Sequence, residues 1–374
     1  MTILFFFILF VYAIAMLFYA IKFKKFDIQK LNKSAPQTKF SIIIPFRNEV
    51  ENLPNLIKSL SELDYPEALF DIYFIDDFSE DDSKLTCLKY IKKFKLKNSE
   101  VLINQNLAIS PKKSAVLTAL QFVESGYVLT TDADCLLPDQ WLLHFDEHIQ
   151  KYKSVLVAGA VCIATEKPFW SRFQVLDLMS LQVVGLGSFN TKYPLMCNAA
   201  NLAYEVKTLK GLQAFHKHQQ HISGDDIFNL QVFQQAGKKI SALVHPEALV
   251  WTKAESSFKK LTQQRIRWAS KTKFYDNKIL IGLGLLVFIS NLILVLCFPL
   301  LLVTDDFEKV LWLIWLIKLS VDFMVLKTGQ KFFKPGICMR DYVLMLIVYP
   351  FVNLYFAMFS FLGKFTWKGR QYEI

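Results

Sequence analysis

Charge is missing from the first stretch of this 374-residue chain: residues 3–21 contain no Asp, Glu, Lys or Arg. A run of that kind approaches the ~20 apolar residues that cross a ~30 Å hydrocarbon core. Also missing is the basic segment that precedes a secretory signal, although Ala13-Ile-Ala15 imitates a cleavage site. Lys22, Lys24 and Lys25 lie on the far side of the run instead, so the positive-inside rule predicts an uncleaved anchor with residue 22 onward in the cytoplasm. Close cysteine pairs are absent too. The six cysteines are scattered, none at metal-ligand spacing, which excludes a cysteine-based zinc module and fits reduced thiols. No RNA- or DNA-binding motif accompanies the net charge of +10, and nucleic acid is not an expected partner. The basic residues Lys259, Lys260, Arg265, Arg267, Lys271, Lys273 and Lys278 gather beside an apolar segment, where they suit anionic headgroups or phosphates. Internal repeats and low-complexity tracts are lacking.

What the chain has in excess is apolar surface, with 53% hydrophobic and 15% aromatic residues concentrated at its two ends. Residues 279–303, 310–326 and 342–363 are further candidate spans. The middle one carries Lys318 and Asp322, four apart and able to pair on one helix face. Three full C-terminal crossings would put the basic tail from Lys364 to Arg370 outside, against its preference for the cytoplasm. One segment is therefore expected to be re-entrant or interfacial, which leaves the number of crossings open. The expected organisation is an anchor at 1–21, a linker at 22–39, a cytoplasmic α/β domain with interfacial helices at 40–278, and a C-terminal transmembrane region at 279–374.

The middle of the chain alternates. Short apolar runs at 40–45, 70–75, 101–104 and 127–131 read as buried strands, and 51–63, 83–97 and 112–125 have helical spacing. Such alternation predicts a mostly parallel sheet with right-handed crossovers, whose ligands bind beyond the carboxyl ends of the strands. Three polar segments follow strand ends and should converge there: Pro45 to Glu49, Asp76-Asp77, and Asp132-Ala-Asp134. Two carboxylates at i and i+2 after a strand can hold a hard divalent cation while leaving positions for phosphate oxygens and water.

The ordered set is more telling than any one piece. Ser41-Ile-Ile-Ile-Pro-Phe-Arg-Asn-Glu49, Phe74-Ile-Asp-Asp-Phe-Ser-Glu-Asp81, Thr131-Asp-Ala-Asp134, Ser223-Gly-Asp-Asp226 and Gln264-Arg-Ile-Arg-Trp268 occur in that order. Together they resemble the inverting glycosyltransferase family 2 in its membrane-bound branch with the Q-x-x-R-W motif, which includes cellulose, chitin and hyaluronan synthases and ceramide glucosyltransferases. The resemblance spans about residues 40–270, and Trp367-Lys-Gly-Arg370 also recurs in such enzymes. It implies a GT-A type nucleotide-sugar-binding fold flanked by transmembrane helices. The implied reaction moves a sugar from a nucleotide-sugar, UDP-sugar favoured, to a lipid-linked or glycan acceptor. The implied location is the inner or plasma membrane of a bacterium, with the catalytic domain cytoplasmic.

Residue by residue, the resemblance implies that Pro45 and Glu49 shape the nucleotide-base pocket and that Asp76 or Asp77 hydrogen-bonds base or ribose. Lys112, together with Lys113, stands where the family has a Gly-Lys pair, although Pro111 replaces the glycine here. Asp134 would ligate Mg²⁺ or Mn²⁺ at the diphosphate, with Asp132 on the ribose or the metal. Asp226 would be the general base, since an inverting transfer needs one carboxylate to take the acceptor hydroxyl's proton during in-line attack. Its neighbour Asp225 could raise the proton affinity of one of the pair. Gln264 and Arg267 share a helix face, guanidinium suits a diphosphate, and the Trp268 indole offers a flat surface to a sugar ring.

Rival readings are blander or different in kind. Asp226 could sit in a helix cap, since Ser223-Gly-Asp-Asp precedes the helical run 227–235. The Q-x-x-R-W segment could be an amphipathic interfacial helix, and residues 169–189 an interfacial helix or core. Asn201, in a loop resembling the family's G-A-N acceptor loop, leans towards a structural role, Cys135 reads as a small buried residue, and His216, His218 and His221 read as solvated loop groups. His144-Phe-Asp-Glu-His148 matches the inverted zincin pattern and raises a membrane metalloprotease using His144, Glu147 and His148. The remaining alternatives are a processive polysaccharide synthase and a catalytically inactive scaffold; protein partners and oligomeric state are not legible.

Overall fold

The computed structural model describes residues 2–28, 35–106, 108–218, 221–300, 308–360 and 364–373. The ends of two expected spans, 301–303 and 361–363, and part of the expected linker, 29–34, lie outside the described residues. In chain order the elements are α1 (Thr2–Phe23), β1 (Phe40–Phe46), α2 (Leu53–Ser61), β2 (Phe70–Asp76), α3 (Ser83–Phe94), β3 (Ser99–Ile103), α4 (Pro111–Leu120), β4 (Tyr127–Thr130) and α5 (Trp141–Tyr152). Then follow β5 (Leu156–Gly159), β6 (Val161–Ile163), α6 (Phe169–Ser188), β7 (Leu202–Glu205), α7 (Val206–Leu212), α8 (Asp225–Gln235), β8 (Ile240–Leu243) and β9 (Val250–Thr252). The last are α9 (Phe258–Ser270), α10 (Lys278–Leu300), α11 (Glu308–Phe333), α12 (Met339–Ser360), β10 (Lys364–Trp367) and β11 (Arg370–Glu373). They cluster into two compact units: residues 26–163 with 196–253, and residues 1–25 with 164–195 and 254–374.

The first unit is built on a seven-stranded sheet in the order β3-β2-β1-β4-β7-β5-β8. Strands β1, β2, β3 and β4 are mutually parallel, and β1 is apolar and almost wholly buried because helices cover both faces of such a sheet. The chain moves from β1 outward through β2 and β3, then returns to lay β4 on the other side of β1. The order therefore reverses between β1 and β4, and in sheets of this kind ligands bind beyond the carboxyl ends of the strands at such a reversal. Pro45 is tolerated in a central strand because the β1–β4 ladder ends at Ile43 and Thr130, one turn of the pleat before it. Strand β7 runs antiparallel to both β4 and β5, with Leu202 opposite Thr130. That reversal brings the loop before β7 to the carboxyl edge of β4, where the Thr130 hydroxyl donates to Ala199 O at 2.7 Å.

The second unit gathers α1, α6, α9, α10, α11, α12 and the β10–β11 hairpin. Among the described residues, three of its helices are long and apolar enough to cross a membrane: Ile3–Phe23, Lys278–Pro299 and Met339–Ser360. Expected as a span over 310–326, α11 forms a helix but is not among these three, since charge interrupts it. Its Lys318 is fully buried and paired with Asp322, which also accepts the Tyr12 hydroxyl at 2.5 Å. Helix α1 packs on α6 and α11, so closely that a Cβ on Gly187 would stand 2.3 Å from Tyr19 O. Of the two readings of residues 169–189, core is the observed one: most of α6 is buried. The tail Trp367-Lys-Gly-Arg370 closes a tight hairpin in which Lys368 (φ 49°) and Gly369 (φ 80°) take the paired left-handed geometry of a two-residue turn. Thr366 N donates to the Gln263 side chain of α9 at 2.9 Å.

Candidate active site

At the carboxyl ends of β1 and β2, Arg47 is the organising side chain. Only 8% exposed, it donates through Nη1 to Asp77 O at 2.8 Å and to Phe78 O, and pairs through Nη2 with Glu80 at 2.7 Å. This clamp holds Phe78 at φ 55°, a region that bulky side chains avoid and that persists only when surroundings impose it. Glu49, Asp76 and Asp77 are all buried beneath the same loops. The Glu49 amide donates to Ser83 Oγ at 2.6 Å and its carboxylate accepts from Asn52 at 2.5 Å. Asp76 accepts from Ser79 N at 3.0 Å, and Asp77 from Asn104 Nδ2 at 2.7 Å. Half-buried Pro45 precedes this group at the end of β1. Each carboxylate is oriented by a bond to its own or a neighbouring loop.

A second group forms where β4 ends and α4 and α8 begin. Helix α4 starts with Ser110 capping Lys113 N and Pro111 in its first turn, which projects Lys112 and Lys113 from adjacent positions. Lys112 pairs with Asp132, just past the end of β4. Burial alone would depress the Lys112 ammonium, but Asp132, Asp225 and Asp226 outweigh it and hold the group above its ordinary value. Lys113 points inward: 1% exposed, it donates to His218 O and to His221 O (2.8 Å) and pairs with Asp225 at 3.3 Å. Burial raises the Asp225 carboxyl, with Lys113 opposing and Asp226 adding to the shift. Gly224, at φ 96°, turns the chain into α8 so that Asp225 and Asp226 occupy its first turn. Asp226 is half-buried and accepts Ala199 N at 3.4 Å and its neighbour's Ile227 N at 2.9 Å. The cap position is Gly224, with no side-chain cap bond, so Asp226 lies inside the first turn and does not cap the helix.

Asp134 is half-buried two residues beyond Asp132, with Cys135 Sγ 3.7 Å from its carboxylate. Cys135 itself is a buried thiol pushed up chiefly by burial, as its small-residue reading anticipates. Two hard oxygen donors at this spacing suit Mg²⁺ or Mn²⁺. Lys112 pairs with one oxygen of the Asp132 carboxylate.

In the other unit, α9 carries Gln264, Arg267 and Trp268, all half-buried. Gln264 Nε2 donates to Glu255 at 3.1 Å. Arg265, between them in sequence, is buried against Asp177 and stacks on the Trp268 ring at 4.1 Å, so it fixes the indole's orientation.

Comparison with known sequences bears on what this arrangement belongs to. The model of the Glycosyl transferase family 2 matches residues 41–200, and that of the Glycosyl transferase family group 2 matches residues 127–363, more than half of the chain. The chain belongs to the family 2 glycosyltransferases. A beta-monoglucosyldiacylglycerol synthase of Nostoc sp. is 30% identical over 146 residues, covering 38% of this chain and 30% of that protein. A poly(ribitol-phosphate) beta-N-acetylglucosaminyltransferase, TarS, of Staphylococcus aureus is 31% identical over 114 residues, 29% of this chain and 19% of the relative. The match thus spans less than a third of either relative's length. Among solved structures, the mannosyltransferase PcManGT of Pyrobaculum calidifontis, in complex with GDP-Man and Mn²⁺, shares the fold at a TM-score of 0.52 and 14% identity, over 95% of this chain and 94% of that one. The α/β domain is of the GT-A type, as the motif resemblance implies.

In this family 2 glycosyltransferase the sequence assigns no role to two organising residues, Arg47 and Asn104, and places a third, Lys113, only with Lys112 at the Gly-Lys position. Arg47 lies inside the first motif, and its clamp depends on backbone oxygens that no motif records. Asn104, 2% exposed, bridges Asp77 and Pro111 O (3.2 Å) and accepts the Ser114 hydroxyl, which joins the two groups of acids. Lys113 was named only beside Lys112. A lysine at the start of a nearly all-buried helix is the signal that could have found it. Asn201 is fully buried, accepting from Trp141 Nε1 at 2.9 Å and donating to Ala160 O (2.8 Å) and Ala248 O (2.9 Å), a structural role. The loop reading of the histidines needs correction in part. His218 and His221 stack on Phe228 at 4.8 and 4.9 Å and give their carbonyls to Lys113, while His216 is exposed. The inverted zincin group does not assemble: His148 bonds Ser241 Oγ at 2.7 Å, whereas His144 faces Glu247 at 3.2 Å and stacks on His245.

Proposed function

We propose that the chain is an inverting, metal-dependent glycosyltransferase that moves a sugar from a nucleotide-sugar to a lipid-linked or polysaccharide acceptor at a membrane, with Asp226 as general base. One observation carries this reading. Lys112 is held charged by Asp132, Asp225 and Asp226 together, so carboxylates almost a hundred positions apart in sequence share one electrostatic site at the carboxyl edge of the sheet. Buried Glu49, Asp76 and Asp77 supply acceptors for a base and ribose. Lys112 offers a cation to the diphosphate, and Asp134 with Asp132 would hold Mg²⁺ or Mn²⁺. When bound, that ion neutralises charge developing on the departing diphosphate.

In the transfer, the acceptor oxygen bonds to the anomeric carbon as the bond from that carbon to the diphosphate oxygen breaks, and the electron pair leaves with the nucleoside diphosphate. The hydroxyl proton passes to an Asp226 oxygen. Lys113 and Ala199 N hold that aspartate and its neighbour in place, so the base needs no reorganisation during attack. The motif Q-x-x-R-W supports a role in the same transfer for Gln264, Arg267 and Trp268. The Nostoc relative's name supports a lipid acceptor, and the Staphylococcus relative's a poly(ribitol-phosphate) polymer as acceptor. A cytoplasmic face for the domain rests on the lysines after α1.

The test is to incubate membranes bearing the chain with labelled UDP- and GDP-sugars, with and without Mn²⁺ or Mg²⁺. Asp226→Asn and Asp134→Ala are expected to lower metal-dependent transfer or hydrolysis by ~10³-fold or more, the scale of losing a general base or a metal clamp. Transfer surviving both substitutions would sink the assignment.

A further inference from the structure

Helix α6 of the second unit sets Trp170, Gln174 and Asp177 on one face at helical spacing. Each of the three meets α9 or the residues just before it. Trp170 packs against Phe258 with ring centroids 4.4 Å apart. Gln174, only 1% exposed, holds the Glu255 backbone twice: its Oε1 accepts Glu255 N at 2.8 Å and its Nε2 donates to Glu255 O at 3.1 Å. Buried Asp177 pairs with Arg265. We infer that Gln174 and Asp177 are positioning residues for the motif from Gln264 to Trp268, an assignment that rests on the proposed part of that motif in transfer. Asp177 acts on Trp268 through Arg265, and Gln174 acts on Gln264 through Glu255.

Both relays are continuous. The Arg265 guanidinium carbon stands 4.1 Å from the centroid of the Trp268 ring, over the electron-rich face of the indole. Among the described residues its Nε and Nη1 find no hydrogen-bond partner, so the directed contacts of this buried cation are one carboxylate and one ring. As a mere brace between helices such a pair is a poor solution, because desolvation offsets its attraction and apolar side chains of the same size serve as well. What apolar side chains do not supply is a flat cation, aimed by a carboxylate, against which an indole keeps one plane. In the other relay Glu255 Oε1 accepts Gln264 Nε2 at 3.1 Å. The two Gln174 bonds fix the backbone from which that carboxylate projects. Gln264 and Trp268 are four apart and share a face of α9, so α6 acts on both ends of the motif.

The same helix supplies an internal comparison. Arg172 pairs with Asp341 of α12 at 3.1 Å, and Asp341 is 2% exposed. That pair is as buried on its acidic side as the Asp177–Arg265 pair, yet it leads to α12 and not to Trp268. A general weakening of the helix packing should follow from loss of either pair, whereas a change at the indole should follow from loss of one.

The full chain, labelled with fluorotryptophan and held in detergent, gives a fluorine NMR line for Trp268 that is assigned by its loss in Trp268→Phe. Arg265→Lys keeps a charge for Asp177 but not the planar group, so it should hold Tm near the parent's while shifting and broadening that line. Asp177→Asn should move the same line, and Asp341→Asn should lower Tm without moving it. Transfer is read in membranes with labelled UDP- and GDP-sugars. Arg265→Lys should slow it by ~10-fold or more, the scale of a small misplacement. Added to Trp268→Ala, the same substitution should cost nothing further, because its effect passes through the indole. Gln174→Leu should likewise slow transfer in the parent but not in Gln264→Ala. A Trp268 line unmoved by both Arg265→Lys and Asp177→Asn would overturn the proposal, and so would losses that simply multiply in the double variants. If the line moves but Trp268→Ala transfers at the parent's rate, the part of the motif in transfer is refuted and the proposal falls with it, an outcome distinct from the first two.

Discussion

At the scale of single residues, the adjacent lysines of α4 divide the labour of charge. Lys112 is partly open and faces Asp132; Lys113 is sealed inside and faces Asp225. Removing one partner of a buried pair leaves an uncompensated charge, which costs about 3–5 kcal/mol. Lys113→Met is therefore expected to lower unfolding stability on that scale and loosen the start of α8. Lys112→Met should keep the fold and raise KM for the nucleotide-sugar instead. Equal Tm losses in the two variants would refute the division. His148 gives the matching pH effect. Burial, helped slightly by Lys151, lowers its pKa to about 4 from 6.5. The unfolded chain therefore binds the proton first as pH falls. The stabilising contribution is whole above pH 6.5 and is lost progressively down to about pH 4, roughly 3 kcal/mol in all. His148→Gln should flatten the fall of Tm across that window, and a variant with the parent's slope would show that other groups govern it.

At the scale of elements, legibility followed apolar runs that end in a motif. Strands β1 to β4 could be read because parallel strands buried on both faces are continuous apolar runs, and the acids at their ends are hydrophilic interruptions placed by the topology. Strands β5 to β9 span three or four residues each and, unlike the equally short β4 that runs into Asp132-Ala-Asp134, lead into no motif that marks them; β7 also reverses direction, which no local pattern encodes. Missing β7 meant missing how the 197–201 loop reaches Asp226, the contact that ties the sequence-remote acid to the sheet edge. The same loop ends in Asn201, and its amide lies where a Cβ on Gly159 would be: Asn201 Cγ and Nδ2 are each 2.3 Å away from that position. Neither side can give, since Asn201 is fully buried and bonded to three partners. Gly159→Ala should destabilise by about 1–3 kcal/mol from overpacking, and more if the Asn201 bonds break. Asn201→Ala in the same background should relieve the clash, so a double-mutant cycle by thermal unfolding is expected to show strong coupling. Additive losses would mean that the close approach relaxes elsewhere.

At the scale of the whole chain, three stretches remote in sequence, 1–25, 164–195 and 254–374, fold into one compact unit, and α1 is the piece that joins it from farthest away. A sequence reading makes α1 an anchor because length and hydropathy report only on lipid. Its surface is divided. Leu9, Tyr12, Met16, Tyr19, Ala20 and Phe23 are buried at helical spacing, while Ile3, Phe7, Phe10, Ile14, Phe18 and Ile21 are exposed on the other side. The inner stripe contains polar and aromatic contacts that lipid cannot supply: the Tyr12 hydroxyl on Asp322, and the backbone of Tyr19 seated against Gly187. Helix α1 is thus a packing element as well as an apolar segment, and the two roles separate by substitution. Replacing the outer Phe7, Phe10, Ile14 and Phe18 with Leu should leave a monodisperse, protease-resistant protein after detergent extraction. Replacing all of α1 with a polyleucine segment of equal length should preserve membrane insertion yet yield aggregated or protease-sensitive material, because Asp322 loses its hydroxyl donor and α6 its close neighbour. Gly187→Leu in the native chain should reproduce that loss from the opposite side of the contact. A polyleucine chimera that extracts and resists protease as well as the parent would reduce α1 to an anchor alone.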